Sequence, residues 1–236
     1  MSDAYRRSST ATNELLERDP ENRYVARQNS FRLDAELVRD NALAIAGLLS
    51  RKFGGRSVKP YQPANYWYRL YIQGEYAQDH GDDLYRRGLY TYWRRSFWHP
   101  SLQAFDAPSR EECVTNRPRS NTAQQSLVLL NDPTYVEAAR ALAERIMTEG
   151  KETVADHIDW AYRCALARAP SEPEAKVLAD LYQTQLARFT EDEKAAVELI
   201  SVGEHSAAQN VPSVELAAWT SVARAILNLH ETITRN

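Results

Sequence analysis

The chain has 236 residues, of which 43% are hydrophobic and 26% are charged, and only 8 are Gly and 10 are Pro. These values are typical of a folded globular protein and exclude a disordered or collagen-like chain. No apolar run approaches the roughly 18–20 residues that a transmembrane helix requires, and no apolar segment follows the basic pair Arg6-Arg7, so the first residues do not have the pattern of a secretory signal peptide.

Charge is divided unevenly along the chain. Residues 1–119 carry 19 basic side chains, 17 of them Arg, against 15 acidic ones, whereas residues 120–236 carry 10 basic and 17 acidic. Because Arg presents a planar fork suited to carboxylate, phosphate or sulfate, the pattern indicates either two differently charged faces of one domain or an N-terminal half that binds anions. We distinguish an Arg- and aromatic-rich part, residues 1–130, from a helical part, residues 131–236, and expect one continuous domain.

The N-terminal half has one clear helical pattern. Apolar spacing predicts a helix over residues 34–51, ended by Gly54-Gly55 and followed by a loop through Pro60 and Pro63. A possible short strand spans residues 89–93, so at most a short β element is expected near residues 85–95.

The C-terminal half is expected to be a succession of helices. Asn131-Asp132-Pro133 combines a cap with a proline at the first helical position, and helical spacing continues from there to Gly150. A second helix is predicted over residues 154–168, stopped before Pro170.

Two capping boxes predict the next helix starts: Ser171 with Glu174, and Thr190 with Glu193. The first of these helices has an apolar stripe that includes Val177, and the second is expected to end near Gly203. Pro212-Ser213 opens the last helix. The fold class is therefore predicted as mainly α, an irregular multi-helix domain.

Residues 61–105 hold 13 of the 23 aromatic residues in the chain, interleaved with Arg. Aromatic faces can stack on sugars or bases, and flanking Arg can hold phosphate or sulfate. The candidate ligand-binding residues are Arg86, Arg87, Tyr90, Trp93, Arg94, Arg95, His99 and Asp106. The alternative is that the rings belong to the core and the Arg residues pair with acids elsewhere in the domain.

Several familiar motifs are missing. The sequence has no CxxCH for haem attachment, no GxGxxG or GxxxxGK[ST] for phosphates, and no GxSxG nucleophile. His230-Glu231 lacks the second histidine of a zinc protease because Thr234 stands in its place, and Asp79, Asp82 and Asp83 lack calcium-loop spacing. We expect no catalytic motif, no metal site and no cofactor in this chain, and two buried thiols at Cys113 and Cys164.

Several strings resemble one family. They are residues 83–95, DLYRRGLYTYWRR; 105–108, FDAP; 119–122, RSNT; and 125–133, QSLVLLNDP. They follow one another as in domain of unknown function 1553, the C-terminal domain of large planctomycete-type proteins, and the resemblance covers nearly the whole chain. It implies a neighbouring domain as partner, haem only in a neighbouring cytochrome-c-like module, and an exported parent protein that is periplasmic or extracellular. It also implies a context of polysaccharide degradation, often of sulfated polymers, and it supplies no catalytic residues.

This sequence departs from the family pattern in three places. Ala123-Gln124 replaces a usual Pro-Leu, and His230 stands where an aspartate is common. Met1 falls inside the family's domain, so the chain is expected to be N-terminally truncated and to leave apolar surface uncovered near its start.

Three functions remain open. The first is an interaction or scaffold module in polysaccharide handling, which would dock a neighbouring domain or an anionic, sulfated glycan. The second is a carbohydrate-active enzyme that uses Asp83 and Asp106 as general acid and base. The third, a nucleic-acid-binding module, is disfavoured because the pI is near 6 and no basic stripe dominates.

Overall fold

The computed structural model describes residues 2–69, 75–94, 97–208 and 211–235, and within them the protein is mainly α-helical, as predicted. The α-helices are α1 (Asn13–Arg18), α2 (Ala35–Ala46), α3 (Tyr66–Arg69), α4 (Pro100–Ala104), α5 (Ala123–Asn131), α6 (Pro133–Glu149), α7 (Val154–Leu166), α8 (Glu172–Glu191), α9 (Glu193–Ile200) and α10 (Ser213–Leu227). Short 3₁₀ helices span Asp3–Arg6, Gly81–Tyr85, Gly88–Tyr90 and His230–Ile233. Within these residues no helix is both long and apolar enough to cross a membrane.

The core is built around α6 and α10. Both helices place runs of alanine against each other, including Ala138 and Ala139 on α6 and Ala217 and Ala218 on α10, all fully buried. Small side chains let two helix backbones approach closely. Trp219 fills the space beside them, and the Tyr182 ring of α8 stacks on it with ring centres 4.4 Å apart.

Helix α2 packs on the other side of α6, and its polar side chains hold residues 84–88 in place. The Arg39 guanidinium donates hydrogen bonds to the carbonyl oxygens of Arg86, at 2.6 Å, and Leu84, at 2.7 Å. The Asp40 carboxylate accepts the Gly88 N–H at 2.6 Å. The two buried charged side chains of α2 therefore fix residues 84–88, because each is hydrogen-bonded to backbone groups of that segment.

The only described sheet joins distant parts of the chain. Strands β1 (Phe31–Arg32) and β2 (Thr234–Arg235) pair antiparallel. The possible strand over residues 89–93 is wrong: residues 88–90 form a 3₁₀ helix, and Thr91 makes a single bridge to Val58. Isolated bridges at Arg86, Thr91 and Arg94 are the β contacts of residues 85–95 that the structure describes.

Most predicted helix boundaries hold, but two of them, and the placement of one apolar residue, need correction. Helix α2 ends at Ala46 and is followed by Gly47, well before Gly54-Gly55, because the chain turns there to pack on residues 84–88. Asp192, and not Thr190, caps α9. Val177 is largely exposed and lies outside the core.

Both cysteines are free, as expected. Cys113 lies exposed in a loop beyond the core and Cys164 is only half-buried, so the prediction of two buried thiols is wrong.

Candidate functional site: an aromatic pocket beside two cations

Arg86 and Tyr90 hold a loop in place. The Arg86 side chain is 1% exposed, and its guanidinium donates hydrogen bonds to the carbonyl oxygens of Gly54 and Arg56, the latter at 2.8 Å. It lies 3.9 Å from the ring centre of Tyr90, whose hydroxyl accepts the Gly54 N–H at 2.9 Å. Arg86 therefore cannot face a ligand, and that prediction is wrong.

His99 is also enclosed. Its Nε2 lies 2.5 Å from the carbonyl oxygen of Tyr61, and its Nδ1 lies 2.8 Å from the Ser101 hydroxyl. Because a carbonyl only accepts, Nε2 carries the proton and Nδ1 accepts from Ser101. Burial lowers the pKa of His99 below its usual value. The ring is a neutral fold contact, which corrects its assignment to a ligand surface.

Asp106 is committed to the fold in the same way. One carboxylate oxygen accepts from the Arg32 guanidinium at 2.5 Å and from the Ser120 N–H at 2.8 Å, and both oxygens lie 2.9 Å from the Ser120 hydroxyl. These bonds close the loop between α4 and α5. Both carboxylate oxygens are thus engaged in contacts that hold the fold together.

The remaining predicted residues are partly accessible or lie outside the described ranges. Arg87 is half exposed, with its Nε 3.6 Å from the Asp40 carboxylate. The Trp93 indole N–H donates to the Ser109 carbonyl at 3.1 Å. Arg95 falls on residues that the structure does not describe. A ligand role for Arg87, Trp93 and Arg95 stays a prediction.

An aromatic cluster forms around the buried Trp67 ring of α3. Its centre lies 5.4 Å from that of Tyr76, 6.3 Å from Tyr92 and 5.5 Å from Phe97, and Tyr66 lies 5.4 Å from Phe97. Edge-to-face pairs of this kind are favoured over flat sandwiches. Four segments of the chain therefore meet at one set of rings.

Two cations lie over these rings. Lys59 Nζ is 5.2 Å from the Tyr92 ring centre and 5.8 Å from those of Trp67 and Tyr76, and the Arg94 guanidinium is 5.6 Å from Trp67. Among the described residues, neither cation has a carboxylate within 4 Å, whereas the basic residues Arg56, Arg87 and Arg110 each have one. The aromatic cluster is thus accompanied by two cations that form no close ion pair within the described residues.

A pocket of about 350 Å³ opens beside the cluster, and we call it the Trp67 pocket. Its walls are formed by residues 62–67, Glu75, Tyr76 and Gln78. The Trp67 indole N–H and the Gln62 amide oxygen are buried and have no hydrogen-bond partner among the described residues. Since buried polar atoms are normally paired, these two atoms of the pocket walls are candidate hydrogen-bonding groups for a ligand. Burial raises the pKa of Tyr76, which stays neutral and donates to the Pro60 carbonyl at 2.6 Å.

A second, more apolar cavity of about 420 Å³ shares Gln62 and Pro63 with the Trp67 pocket and continues along Pro100, Leu127 and Asp132. Asp132 is the predicted cap of α6, and its carboxylate accepts the Thr134 N–H at 2.9 Å. The two cavities therefore adjoin at Gln62 and Pro63, and the second is a mainly hydrophobic groove.

The carboxylates proposed for catalysis are both neutralised by cations. Asp83 lies 3.3 Å from the Arg56 guanidinium and 3.5 Å from Lys52 Nζ, while Asp106 pairs with Arg32. Both carboxylates are therefore engaged by cations of the fold, which disfavours them as a general acid and base. Over the described ranges, no group of three His, Cys, Asp or Glu side chains is arranged to hold a metal ion.

Sequence reasoning missed Lys59, Gln62 and Trp67 as site residues. The density of rings over residues 61–105 indicated the region, but Lys59 lies outside it and a single glutamine carries no signal. Their proximity depends on the bridge between Val58 and Thr91, which brings together residues far apart in the chain.

The family model of PSD1, a protein of unknown function (DUF1553), matches residues 1–182. No curated protein and no solved structure matches the chain.

Proposed function

Because the chain belongs to the DUF1553 family, whose description assigns no activity, we propose from the geometry that it is an interaction module that binds a glycan in the Trp67 pocket. The observation that carries this proposal is the pairing of aromatic walls with an indole N–H and an amide oxygen that have no partner in the described part of the chain. Sugars present apolar C–H faces that pack on aromatic rings and hydroxyl groups that both donate and accept.

The cations indicate which glycans fit best. Lys59 and Arg94 lie within 6 Å of the ring centre of Trp67, and neither has a carboxylate within 4 Å among the described residues, so a sulfate or carboxylate on the bound sugar would meet positive charge there. Charge-assisted hydrogen bonds are stronger than neutral ones. This supports an anionic, sulfated ligand over a neutral one. The family resemblance supports a scaffold role within an exported multidomain protein that handles polysaccharides.

A calorimetric titration tests the proposal with sulfated, carboxylated and neutral oligosaccharides of equal length. Arg94→Ala is expected to weaken sulfated-glycan binding about tenfold, since losing a charged hydrogen bond costs about 1.5 kcal/mol. Gln62→Ala is expected to weaken all the oligosaccharides by a smaller factor. The control is Arg163→Ala, which removes an exposed guanidinium paired with Asp159 on α7.

Two outcomes would contradict the proposal. One is the absence of heat with every oligosaccharide, and the other is identical affinity in the wild type and both pocket variants. A further titration with single-stranded DNA distinguishes glycan recognition from general attraction to polyanions. If the site is specific for glycans, the DNA should bind no more tightly than a neutral oligosaccharide.

A further inference from the structure

The loop of residues 51–56, between α2 and the aromatic cluster, displays a bulky apolar side chain to solvent. Phe53 is 91% exposed, and it is flanked by Arg51, Lys52 and Arg56. Exposed single apolar residues are common, but a phenylalanine surrounded by cations combines the two features by which proteins attach to lipid interfaces.

The structure holds this loop in one shape. The buried Arg86 guanidinium binds the carbonyl oxygens of Gly54 and Arg56, and the Tyr90 hydroxyl accepts the Gly54 N–H. Burying a guanidinium costs free energy unless hydrogen-bond partners replace water, and here two backbone carbonyls of the loop are those partners. Because these hydrogen bonds already order the loop, Phe53 can bind a partner without the entropy loss of ordering a flexible loop.

The basic side chains of the loop are more exposed than the carboxylates with which they pair. The Lys52 and Arg56 side chains are 62% and 64% exposed, while their partners Asp83 and Asp79 are only 24% and 13% exposed. The carboxylates thus lie beneath and the cations face outward. Arg51 is exposed and has no carboxylate within 4 Å in the part of the chain that the structure describes.

The size of the patch decides between possible partners. Leu89, which adjoins Tyr90 in the chain, is a second large apolar side chain that is exposed. Two such side chains cannot form the core of a stable protein interface, which buries about 800 Å² on each partner. A bilayer interface needs only a few inserted apolar groups with basic residues beside anionic headgroups.

We infer that the loop of residues 51–56 docks on an anionic membrane surface, with Phe53 inserted at the interface and Arg51, Lys52 and Arg56 against lipid phosphates. This docking is independent of glycan binding in the Trp67 pocket. It is peripheral, and it requires no membrane-spanning segment.

Sedimentation with lipid vesicles tests the inference on the full chain. At low salt, wild type is expected to sediment with vesicles of phosphatidylcholine and phosphatidylglycerol in equal parts, and not with pure phosphatidylcholine. Phe53→Ser is expected to reduce the partition coefficient about tenfold, as loss of one buried aromatic side chain implies. Arg51→Gln is expected to reduce it less, and added salt should weaken binding of every variant.

Matched controls are Tyr24→Ser, which removes another exposed ring, and Arg163→Gln, which removes an exposed charge elsewhere. Because Phe53 contributes almost nothing to the core, its variant should keep the wild-type circular dichroism spectrum. Absence of vesicle binding by wild type, or equal binding by Phe53→Ser, would overturn the inference. Binding of soluble polyglutamate without vesicle binding would show that the partner is an acidic protein, and would overturn it as well.

Discussion

Glu137 shows how a single buried residue joins the two parts of the chain. It lies on α6 and is fully buried, and one carboxylate oxygen accepts the Tyr85 hydroxyl at 2.9 Å and the His205 N–H at 2.7 Å. A buried charge is tolerated only when such partners replace water. The carboxylate therefore fixes both the 3₁₀ helix before Arg86 and the loop after α9.

Gly203 allows that loop to approach Glu137. Its φ is +95°, and a Cβ at this position would lie 2.3 Å from the Glu137 carboxyl carbon. Gly203→Ala is expected to lower the free energy of unfolding by roughly 3 kcal/mol, since it combines backbone strain with displacement of a buried carboxylate. Urea unfolding measures the change.

Gly81→Ala is the matched control for this substitution. Gly81 also has a positive φ, +60°, but no atom lies within 4 Å of its Cβ position. Only the backbone penalty of about 1 kcal/mol should remain. Equal destabilisation by the two variants would show that contact with Glu137 is unimportant.

The sequence indicated which segment is rich in Arg and aromatic residues, but not which of these side chains are buried and which are accessible. Arg86 and Arg94 stand eight residues apart in one Arg- and aromatic-rich run, yet the first supports a loop from inside and the second lies over the Trp67 ring. The difference arises from α2, whose Arg39 holds the backbone of Arg86. No spacing within residues 85–95 could reveal that contact.

At the scale of elements, α8 begins with a capping box that the sequence predicted. The Glu174 carboxylate accepts the Ser171 N–H and hydroxyl, each at 2.7 Å. Hydrogen bonds from Arg168 and from Ser171 lower the pKa of Glu174 to about 2, so the cap is ionised at neutral pH. Arg168 also pairs with Glu231 at 2.7 Å, which ties the start of α8 to the end of the chain.

Ser171→Ala is expected to lower the free energy of unfolding by about 1 kcal/mol, the usual cost of losing an N-cap. The control is Thr190→Ala. Thr190 had the same sequence signature, but its hydroxyl bonds the Leu186 carbonyl inside α8 at 2.7 Å. Alanine is a good helix former, so this variant should stay within about 0.5 kcal/mol of wild type. Thermal melts of both variants measure the difference, and an equal loss would mean that Thr190 acts as a cap.

Helices of the C-terminal half were predictable because their signals are local. Caps, prolines and a 3.6-residue apolar period lie within each segment, and α6, α7 and α10 begin where these signals place them. The N-terminal half depends on contacts between distant residues. There the rings of Trp67 and Tyr92 meet through tertiary packing, which a pattern along the chain does not encode.

At the scale of the molecule, residues 1–130 and 131–236 differ in composition, but helices and strands from the two parts pack against each other. Helix α2 from the first part packs on α6 from the second, and Asn41 donates to the Thr232 carbonyl near the chain's end at 2.8 Å. Strand β1 pairs with β2 across nearly the whole sequence. The helical face that α6 turns toward α2 would be apolar surface in water if residues 1–130 were absent.

We therefore expect the chain to unfold as one cooperative unit. Tryptophan residues lie in both parts, at Trp67, Trp93 and Trp98 and at Trp160 and Trp219, so fluorescence reports on both, while far-UV circular dichroism reports mainly on the C-terminal helices. For a single unit, the urea transitions seen by the two probes must coincide.

Residues 131–236 expressed alone provide the stronger test. Without α2, the fragment loses the cover over buried residues of α6 and the Tyr85 partner of Glu137, which leaves a buried carboxylate poorly satisfied. It should therefore lack a cooperative urea transition. A sharp transition in the fragment, or two separate transitions in the full chain, would show two independent units, and the groove between Gln62 and Asp132 would then lie across a mobile boundary instead of within a single core.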